Sequence, residues 1–126
     1  MDTAGSPVLD LIVLGLGEDG HVASLFPDEL TAQSRADWVY HPVTSPKPPP
    51  RRITLGYRPM AAAREVWVLA SGQGKERALG ESLAASGRTP LAELLRQRSV
   101  TRLFTDLQAP GPAWGGGTTE ETAGRI

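Results

Sequence analysis

The segment VLDLIVLGLGEDG, from Val8 to Gly20, gives the clearest indication of the fold. Its first part, Val8 to Leu16, is a nearly continuous run of Val, Leu and Ile, which is typical of a strand covered on both faces of a parallel sheet. Its second part, Gly15 to Gly20, is then the loop that follows this strand. Ligands of open α/β sheets bind beyond the carboxyl ends of the strands, so this loop is the first candidate for a functional site.

Segments with strand and helix character alternate over the rest of the chain. Runs rich in β-branched and aromatic residues predict four more strands: Trp38–Val43, Arg52–Tyr57, Val66–Ala70 and Val100–Thr105. The spacing of apolar residues predicts helices at Lys75–Ala85 and Pro90–Gln97, and a short helical turn at Met60–Arg64. Such alternation predicts an α/β fold, with a parallel or mostly parallel sheet and flanking helices.

Length and charge limit the classes of protein that remain. The chain has 126 residues, 40% of them hydrophobic, which fits one domain. Its 13 basic and 14 acidic residues give a formal net charge of -1, which argues against binding nucleic acid or an anionic membrane through general electrostatics. With no cysteine and only two histidines, His21 and His41, no metal site is expected.

Two further expectations concern location and order. The chain shows no leader pattern, and its apolar runs are too short to span a bilayer, so we expect a cytoplasmic protein with no membrane partner. From residue 110 onward the sequence consists mainly of Gly, Pro, Thr and Glu. This composition has little to bury and predicts a disordered tail over 110–126, after an α/β domain over 1–109.

The loop GLGEDG, Gly15–Gly20, matches the glycine pattern of dinucleotide-binding loops. That fold also needs a long helix beginning at the loop. Here Pro27 ends any such helix after about two turns. We therefore expect no dinucleotide.

His21 comes directly after this loop, at the start of a short predicted helix. An imidazole, whose ordinary pKa is about 6.5, is mostly neutral at physiological pH and accepts a proton from water. Asp19 lies two residues earlier, where its carboxylate would orient the ring. In the alternative interpretation, Asp19 caps the helix and His21 is a partly exposed residue without a chemical role. The two interpretations are compatible.

The segment SPKPPPRRIT, Ser45–Thr54, carries a lysine and two arginines on a stiff proline stretch that leads into a strand. Alternation along the strand places Arg52 and Thr54 on one face and Arg51 and Ile53 on the other. An arginine on the inner face suits phosphate through its bidentate fork. The segment also fits a proline-rich ligand for aromatic grooves, or simply a solvated basic turn.

A second glycine loop, SGQGK at Ser71–Lys75, also lies between a predicted strand and a predicted helix. It delivers backbone N–H groups and Lys75 to a helix N-terminus. It lacks the spacing of a nucleotide phosphate loop and the Ser or Thr that would follow the lysine, since Glu76 stands there. A phosphate monoester fits this loop better than a nucleotide. The alternative is an ordinary strand-to-helix turn with a solvated lysine.

Taken in order, three segments resemble the signature segments of the 6-phosphogluconolactonase family, within the superfamily that includes glucosamine-6-phosphate deaminases. These segments are DLIVLGLGEDGHVASLFP (Asp10–Pro27), SPKPPPRRIT and SGQGK, and the likeness spans about Leu9–Ala109. The deaminases have an Asn-Glu pair before this proline, where the chain has Leu25 and Phe26, so the resemblance favours the lactonase branch. It implies that the chain is the C-terminal half of a doubly wound domain.

The resemblance also implies roles for individual residues. The family's proposed general base falls on His21, and the matching acidic position falls on Asp19. The phosphate-binding cations fall on Arg52 and Lys75, with Lys47 nearby as a further candidate. The resemblance implies that neither a metal nor an organic cofactor takes part.

The mechanism that we expect uses backbone amides as well. His21 accepts a proton from the water that attacks the lactone carbonyl, and backbone N–H groups around Gly17 to Gly20 stabilise the oxyanion. The resemblance implies that the complete enzyme hydrolyses 6-phosphogluconolactone to 6-phosphogluconate in the oxidative pentose phosphate pathway. Its partner is then a small sugar phosphate.

Members of this family are much longer, and their N-terminal half supplies the first strands, a Gly/Ser phosphate loop and another arginine. We therefore expect a fragment, a gene model with a misplaced start, or a decayed copy. The second hypothesis is a non-catalytic remnant that binds a sugar phosphate or a partner protein.

Overall fold

The computed structural model of the chain describes residues 5–27, 38–107 and, for the backbone, 122–125. In chain order, its elements are strand β1 (Leu11–Gly15), strand β2 (Tyr40–Thr44), strand β3 (Arg51–Leu55), helix α1 (Tyr57–Ala62), strand β4 (Glu65–Ala70), a 3₁₀ turn (Gln73–Lys75), helix α2 (Glu76–Leu83), helix α3 (Pro90–Arg96), strand β5 (Arg102–Thr105) and strand β6 (Thr122–Arg125). In the described part of the chain, no helix has the length and apolar character needed to cross a membrane.

A four-stranded sheet, in the order β1-β4-β5-β6, organises the fold. β1 pairs in parallel with β4, and β4 pairs in parallel with β5. The predicted α/β fold with a mostly parallel sheet is therefore confirmed. β2 and β3 form a separate antiparallel pair, which the simple alternation of strands and helices did not indicate.

β6 lies inside the segment that we expected to be a disordered tail. Its four residues pair antiparallel with β5, from Arg102 opposite Arg125 to Thr105 opposite Thr122. Backbone hydrogen bonds to an edge strand do not require apolar side chains, so composition did not reveal this strand. For these four residues the prediction of disorder does not hold. Residues 108–121 and 126 lie outside the described part of the chain.

The two faces of the sheet differ in their cover. Alternate strand residues on one face are buried: Ile12, Leu14, Val66, Val68 and Leu103. Apolar side chains on the other face stay exposed, with Val13 at 52%, Leu69 at 46% and Leu11 at 42%. The predicted cover on both faces of β1 is therefore wrong for the described residues, because a run of apolar residues does not reveal whether the chain supplies a second layer.

Helix α3 holds the first glycine loop against the core. Thr89 caps the helix, with its Oγ1 accepting from the amide of Ala92 at 3.1 Å, and Pro90 occupies the first turn. The amide of Leu91 donates to the carbonyl of Gly20 at 3.3 Å. A side chain on Gly20 would strike Thr89, since its Cβ would lie 2.5 Å from the Thr89 methyl carbon. The loop thus needs a glycine where it meets the helix.

Candidate functional site

The first glycine loop is closed by its own backbone. The amide of Gly17 donates to the carbonyl of His21 at 3.0 Å, and the amide of Gly20 donates to the carbonyl of Gly17 at 2.9 Å. Both N–H groups are therefore committed within the loop. This disagrees with the expectation that they face an oxyanion, because an oxyanion donor must point at the reacting atom.

The chain beyond His21 turns instead of continuing as a helix. Val22 and Leu25 form an isolated antiparallel bridge, and Ala23 takes a left-handed backbone conformation with φ of 50°. The short helix predicted to start at His21 is therefore absent from residues 21–27. Asp19 consequently caps no helix. Its carboxylate accepts from the backbone amide of His21 at 3.1 Å, in a local turn.

The carboxylate of Asp19 holds the imidazole of His21 in place. Oδ1 of Asp19 lies 2.6 Å from Nδ1 of His21, and both side chains are partly buried. Since an ionised carboxylate only accepts hydrogen bonds, Nδ1 carries the hydrogen, and Nε2 of the neutral ring has the free lone pair. This arrangement suits a ring that accepts a proton at Nε2.

The surroundings of Asp19 keep it ionised. Its partial burial opposes the charge and raises its pKa, but the hydrogen bonds from the His21 ring and amide lower it, as do the positive charge of the His21 ring when it is protonated and the charge of Lys47. The net effect holds the pKa of Asp19 below its usual value. A carboxylate that stays charged near neutral pH can stabilise an imidazolium beside it.

The imidazole lies against two neighbours that limit its movement. The ring of Phe26 lies 4.6 Å from it, centroid to centroid, at an interplanar angle of 35°. On the loop side, a Cβ on Gly17 would lie 2.0 Å from Nδ1 of the ring. Only glycine at position 17 lets the imidazole sit this close to the backbone.

Two cations of the proline and arginine segment lie next to the pair formed by His21 and Asp19, or to the Phe26 ring beside it. Nζ of Lys47 lies 3.8 Å from Oδ2 of Asp19. Arg52 lies over the ring of Phe26, with its Cζ 5.6 Å from the centroid. Burial confirms the predicted alternation on β3: Thr54 is buried, Arg52 is half-buried, and Arg51 is exposed.

Lys75 lies on the second glycine loop, at the N-terminus of α2, as the sequence predicted. The two loops meet through Glu18, whose Oε1 would lie 2.4 Å from a Cβ on Gly74. Asp106 also joins this loop, since its Oδ1 accepts from the amide of Gly72 at 3.2 Å. The structure thus groups His21, Asp19, Lys47 and Arg52 directly, and Lys75 joins them only through the adjoining loop.

Phe26, Ser24 and Asp106 contribute contacts that sequence reasoning did not assign. The sequence analysis used Phe26 only to distinguish the lactonases from the deaminases. An aromatic residue soon after a histidine is nevertheless a usable signal for a ring contact. Ser24 lies in a turn whose geometry the sequence did not reveal. Asp106 is 34 residues from Gly72, so no local pattern connects the two.

Comparison with known proteins gives consistent matches. The family model described as glucosamine-6-phosphate isomerases/6-phosphogluconolactonase matches residues 1–103. The 6-phosphogluconolactonase of Bos taurus is 44% identical over 97 residues, which cover 77% of this chain and 38% of that protein. The 6-phosphogluconolactonase of Homo sapiens is 43% identical over the same shares. The chain therefore spans about two fifths of the length of these relatives.

Solved structures show the same likeness. The 6-phosphogluconolactonase of Leishmania guyanensis matches with a TM-score of 0.68 and 32% identity, over 94% of this chain and 46% of that one. The enzyme of Trypanosoma brucei matches with a TM-score of 0.64 and 37% identity, over 78% of this chain and 40% of that one.

Proposed function

The chain belongs to the family of glucosamine-6-phosphate isomerases and 6-phosphogluconolactonases, and we propose that it supplies the base and cations of an enzyme that hydrolyses 6-phosphogluconolactone to 6-phosphogluconate. The observation that carries this proposal is the pairing of His21 with Asp19 at 2.6 Å, beside the ammonium group of Lys47. Relatives with this activity in their names match over most of the chain.

The base in this mechanism is Nε2 of His21. Water adds to the lactone carbonyl, and one of its protons passes to Nε2. The tetrahedral intermediate then breaks the bond between the carbonyl carbon and the ring oxygen, and the departing oxygen takes the proton back from the imidazolium. Asp19 stabilises the imidazolium in between and holds the ring so that Nε2 faces the reactants.

The phosphate of the substrate is held by cations. We assign direct contact with the phosphate to Lys47 and Lys75 and a supporting positive charge to Arg52; all three come from the two segments adjoining the His21 loop. Positive charge concentrated on one side of the base would orient the lactone carbonyl toward Nε2, and this positioning is itself catalytic. The proposed setting is the oxidative pentose phosphate pathway in the cytoplasm, although a relative from Oryza sativa is named chloroplastic.

The direct test is the loss of 6-phosphogluconolactone in the presence of the purified chain, measured above the spontaneous rate. Gluconolactone without phosphate is the matched control substrate. We expect saturable acceleration for the phosphorylated lactone and much less for the control. The same assay is run on a chimera, in which residues 9–107 replace the matching region of a full-length relative.

Calorimetry with 6-phosphogluconate distinguishes a lactone-hydrolysing enzyme from a remnant that only binds a sugar phosphate. Binding without hydrolysis, by both the chain and the chimera, would favour the non-catalytic sugar-phosphate-binding hypothesis. A chimera that neither binds the product nor hydrolyses the lactone would contradict the proposed function.

A further inference from the structure

The guanidinium of Arg52 directs most of its hydrogen bonds to the neighbouring proline turn. Its Nε donates to the carbonyl of Pro49 and its Nη2 to the carbonyl of Pro48, both at 3.0 Å. Nη2 also reaches the carbonyl of Lys47, and Nη1 reaches Oγ of Ser24, both at 3.4 Å. A guanidinium has five N–H groups in a fixed fork, so these contacts leave at most one hydrogen for a ligand.

This arrangement differs from that of an arginine that binds phosphate bidentately. Such an arginine presents two parallel N–H groups to the oxygens of the ligand. In Arg52, the pair formed by Nε and Nη2 faces two consecutive carbonyls of its own turn. By donating to these carbonyls, Arg52 fixes the backbone of the turn that carries Lys47.

Phe26 connects this turn to the base. Its buried ring, 6% exposed, contacts the imidazole of His21 on one side of the site. The same ring lies beneath the guanidinium of Arg52, at a distance typical of a cation–π contact. Phe26 is thus the side chain that touches both the base and the arginine.

We propose that Phe26 and Arg52 form a brace that sets the position of Lys47, and so of the positive charge beside Asp19, relative to the imidazole of His21. Arg52 is then mainly a positioning residue, and Lys47 is the cation that the brace presents to the site. Only the identity of the substrate in this inference rests on the proposed function. The brace itself is a property of the chain without any ligand.

Arg52→Lys tests the brace because it keeps the charge and removes the fork. Arg51→Lys is the matched control, since Arg51 is the exposed neighbour on the opposite face of β3. The measurement is an NMR titration of the Asp19 carboxyl carbon in the purified chain. Lys47 lowers the pKa of Asp19. A variant whose turn no longer holds Lys47 beside Asp19 should therefore have a higher Asp19 pKa.

The size of the effect is judged against Lys47→Met. We expect Arg52→Lys to raise the pKa of Asp19 as Lys47→Met does, and the double variant to add nothing further. Arg51→Lys should titrate like the unchanged chain. If Arg52→Lys does not fold, Phe26→Leu removes the platform of the brace and is compared with Lys47→Met in the same way.

Two outcomes would overturn the brace. One is a titration of Arg52→Lys that matches the unchanged chain. The other is a double variant whose shift is the sum of the two single shifts, because Arg52 would then act on Asp19 without Lys47.

Activity gives an independent arm in the chimera. Loss of the fork should lower kcat/KM by about tenfold in Arg52→Lys, and Phe26→Leu, which keeps the fork but removes the ring beneath it, should lower kcat/KM as well. An arginine that only binds phosphate would show the first loss without the second. The titration needs no substrate. A chimera without lactonase activity would therefore count against the proposed function and leave the test of the brace intact.

Discussion

The two glycine loops follow neighbouring parallel strands, but different constraints fix their glycines. In the first loop, Gly17 leaves room for the imidazole of His21, which a Cβ would meet at 2.0 Å. In the second, Gly72 has nothing within 4 Å of where its Cβ would lie, and its φ is 90°. The first glycine is required by a functional side chain, and the second by the path of the backbone.

The charges around the loops differ as well. The first loop sets one carboxylate, that of Asp19, against His21 and Lys47. The second receives two carboxylates, with Asp106 on the amide of Gly72 and Glu18 against Gly74. The glycines of the first loop thus make room for the proposed base, whereas the second loop is a turn held in place by contacts with Asp106 and Glu18. Lys75 is the group of the second loop that we assign to phosphate.

The largest expected effect distinguishes the proposed base, His21, from the proposed phosphate-binding residue, Lys75. His21→Ala should lower kcat for lactone hydrolysis by ~10²–10⁴-fold in the active form of the enzyme, as for a lost general base. Lys75→Met should mainly raise KM, because it removes a charge from substrate binding. The comparison is made by steady-state kinetics corrected for spontaneous hydrolysis. A His21→Ala enzyme with near-normal kcat would remove His21 from the mechanism.

Gly17→Ala and Gly72→Ala sharpen the contrast between the two glycines. The methyl group at position 17 should push the imidazole away from Asp19 and cost much of the activity that His21→Ala loses. Gly72→Ala should destabilise the chain by about 1–3 kcal/mol through backbone strain and leave the ring in place. ¹⁵N spectra of the histidine ring and denaturant unfolding measure the two effects. An unchanged His21 spectrum in Gly17→Ala would contradict the assigned role of Gly17.

A pH series tests the charge of the first loop. Because the pKa of Asp19 is lowered in the folded chain, its ionised form stabilises the fold above the ordinary carboxyl pKa, and this contribution is lost as pH falls through the lowered value. Asp19→Asn lacks this dependence. The difference in unfolding free energy between the two proteins should therefore shrink in acid. A difference that stays constant from pH 6 to about pH 2 would show that Asp19 titrates normally.

The smallest effect is expected at the junction of the loops. A methyl group at Gly74 meets only the far end of the Glu18 side chain, which is exposed and free to turn away. Gly74→Ala should therefore change the unfolding free energy by no more than about 0.5 kcal/mol. Thermal unfolding, with Glu18→Ala/Gly74→Ala as the control pair, measures it. A much larger cost in Gly74→Ala, relieved in the pair, would mean that Glu18 is held rigidly.

Local features of the site were predictable, because they involve residues close together in the chain. Asp19 and His21 are two residues apart, so their pairing needed only a turn. Arg51 and Arg52 are adjacent on a strand, and the period of two placed them on opposite faces. The strand, glycine loop and helix order around Lys75 followed from propensity and spacing alone.

The direction of individual donors was not predictable. The loop pattern suggested that the amides of Gly17 and Gly20 point outward, yet both bond within the loop. Arg52 was expected to face a phosphate, and most of its fork faces the turn before it. Residue type gives the number of donors, but the path of the backbone decides what each one meets.

Local propensity, periodicity and short spacing were enough to indicate the α/β class, the order of the elements from β2 to β5, and the closeness of Asp19 to His21. The folded chain was needed to show which sheet face is covered, that β2 and β3 form a separate pair, and that Phe26 contacts Arg52. The sheet cover and the contact of Phe26 with Arg52 join residues far apart in the chain, and packing, which selects such contacts, leaves no periodic signal in the sequence. The β2–β3 pair is local, but propensity marks each strand without showing which sheet it joins.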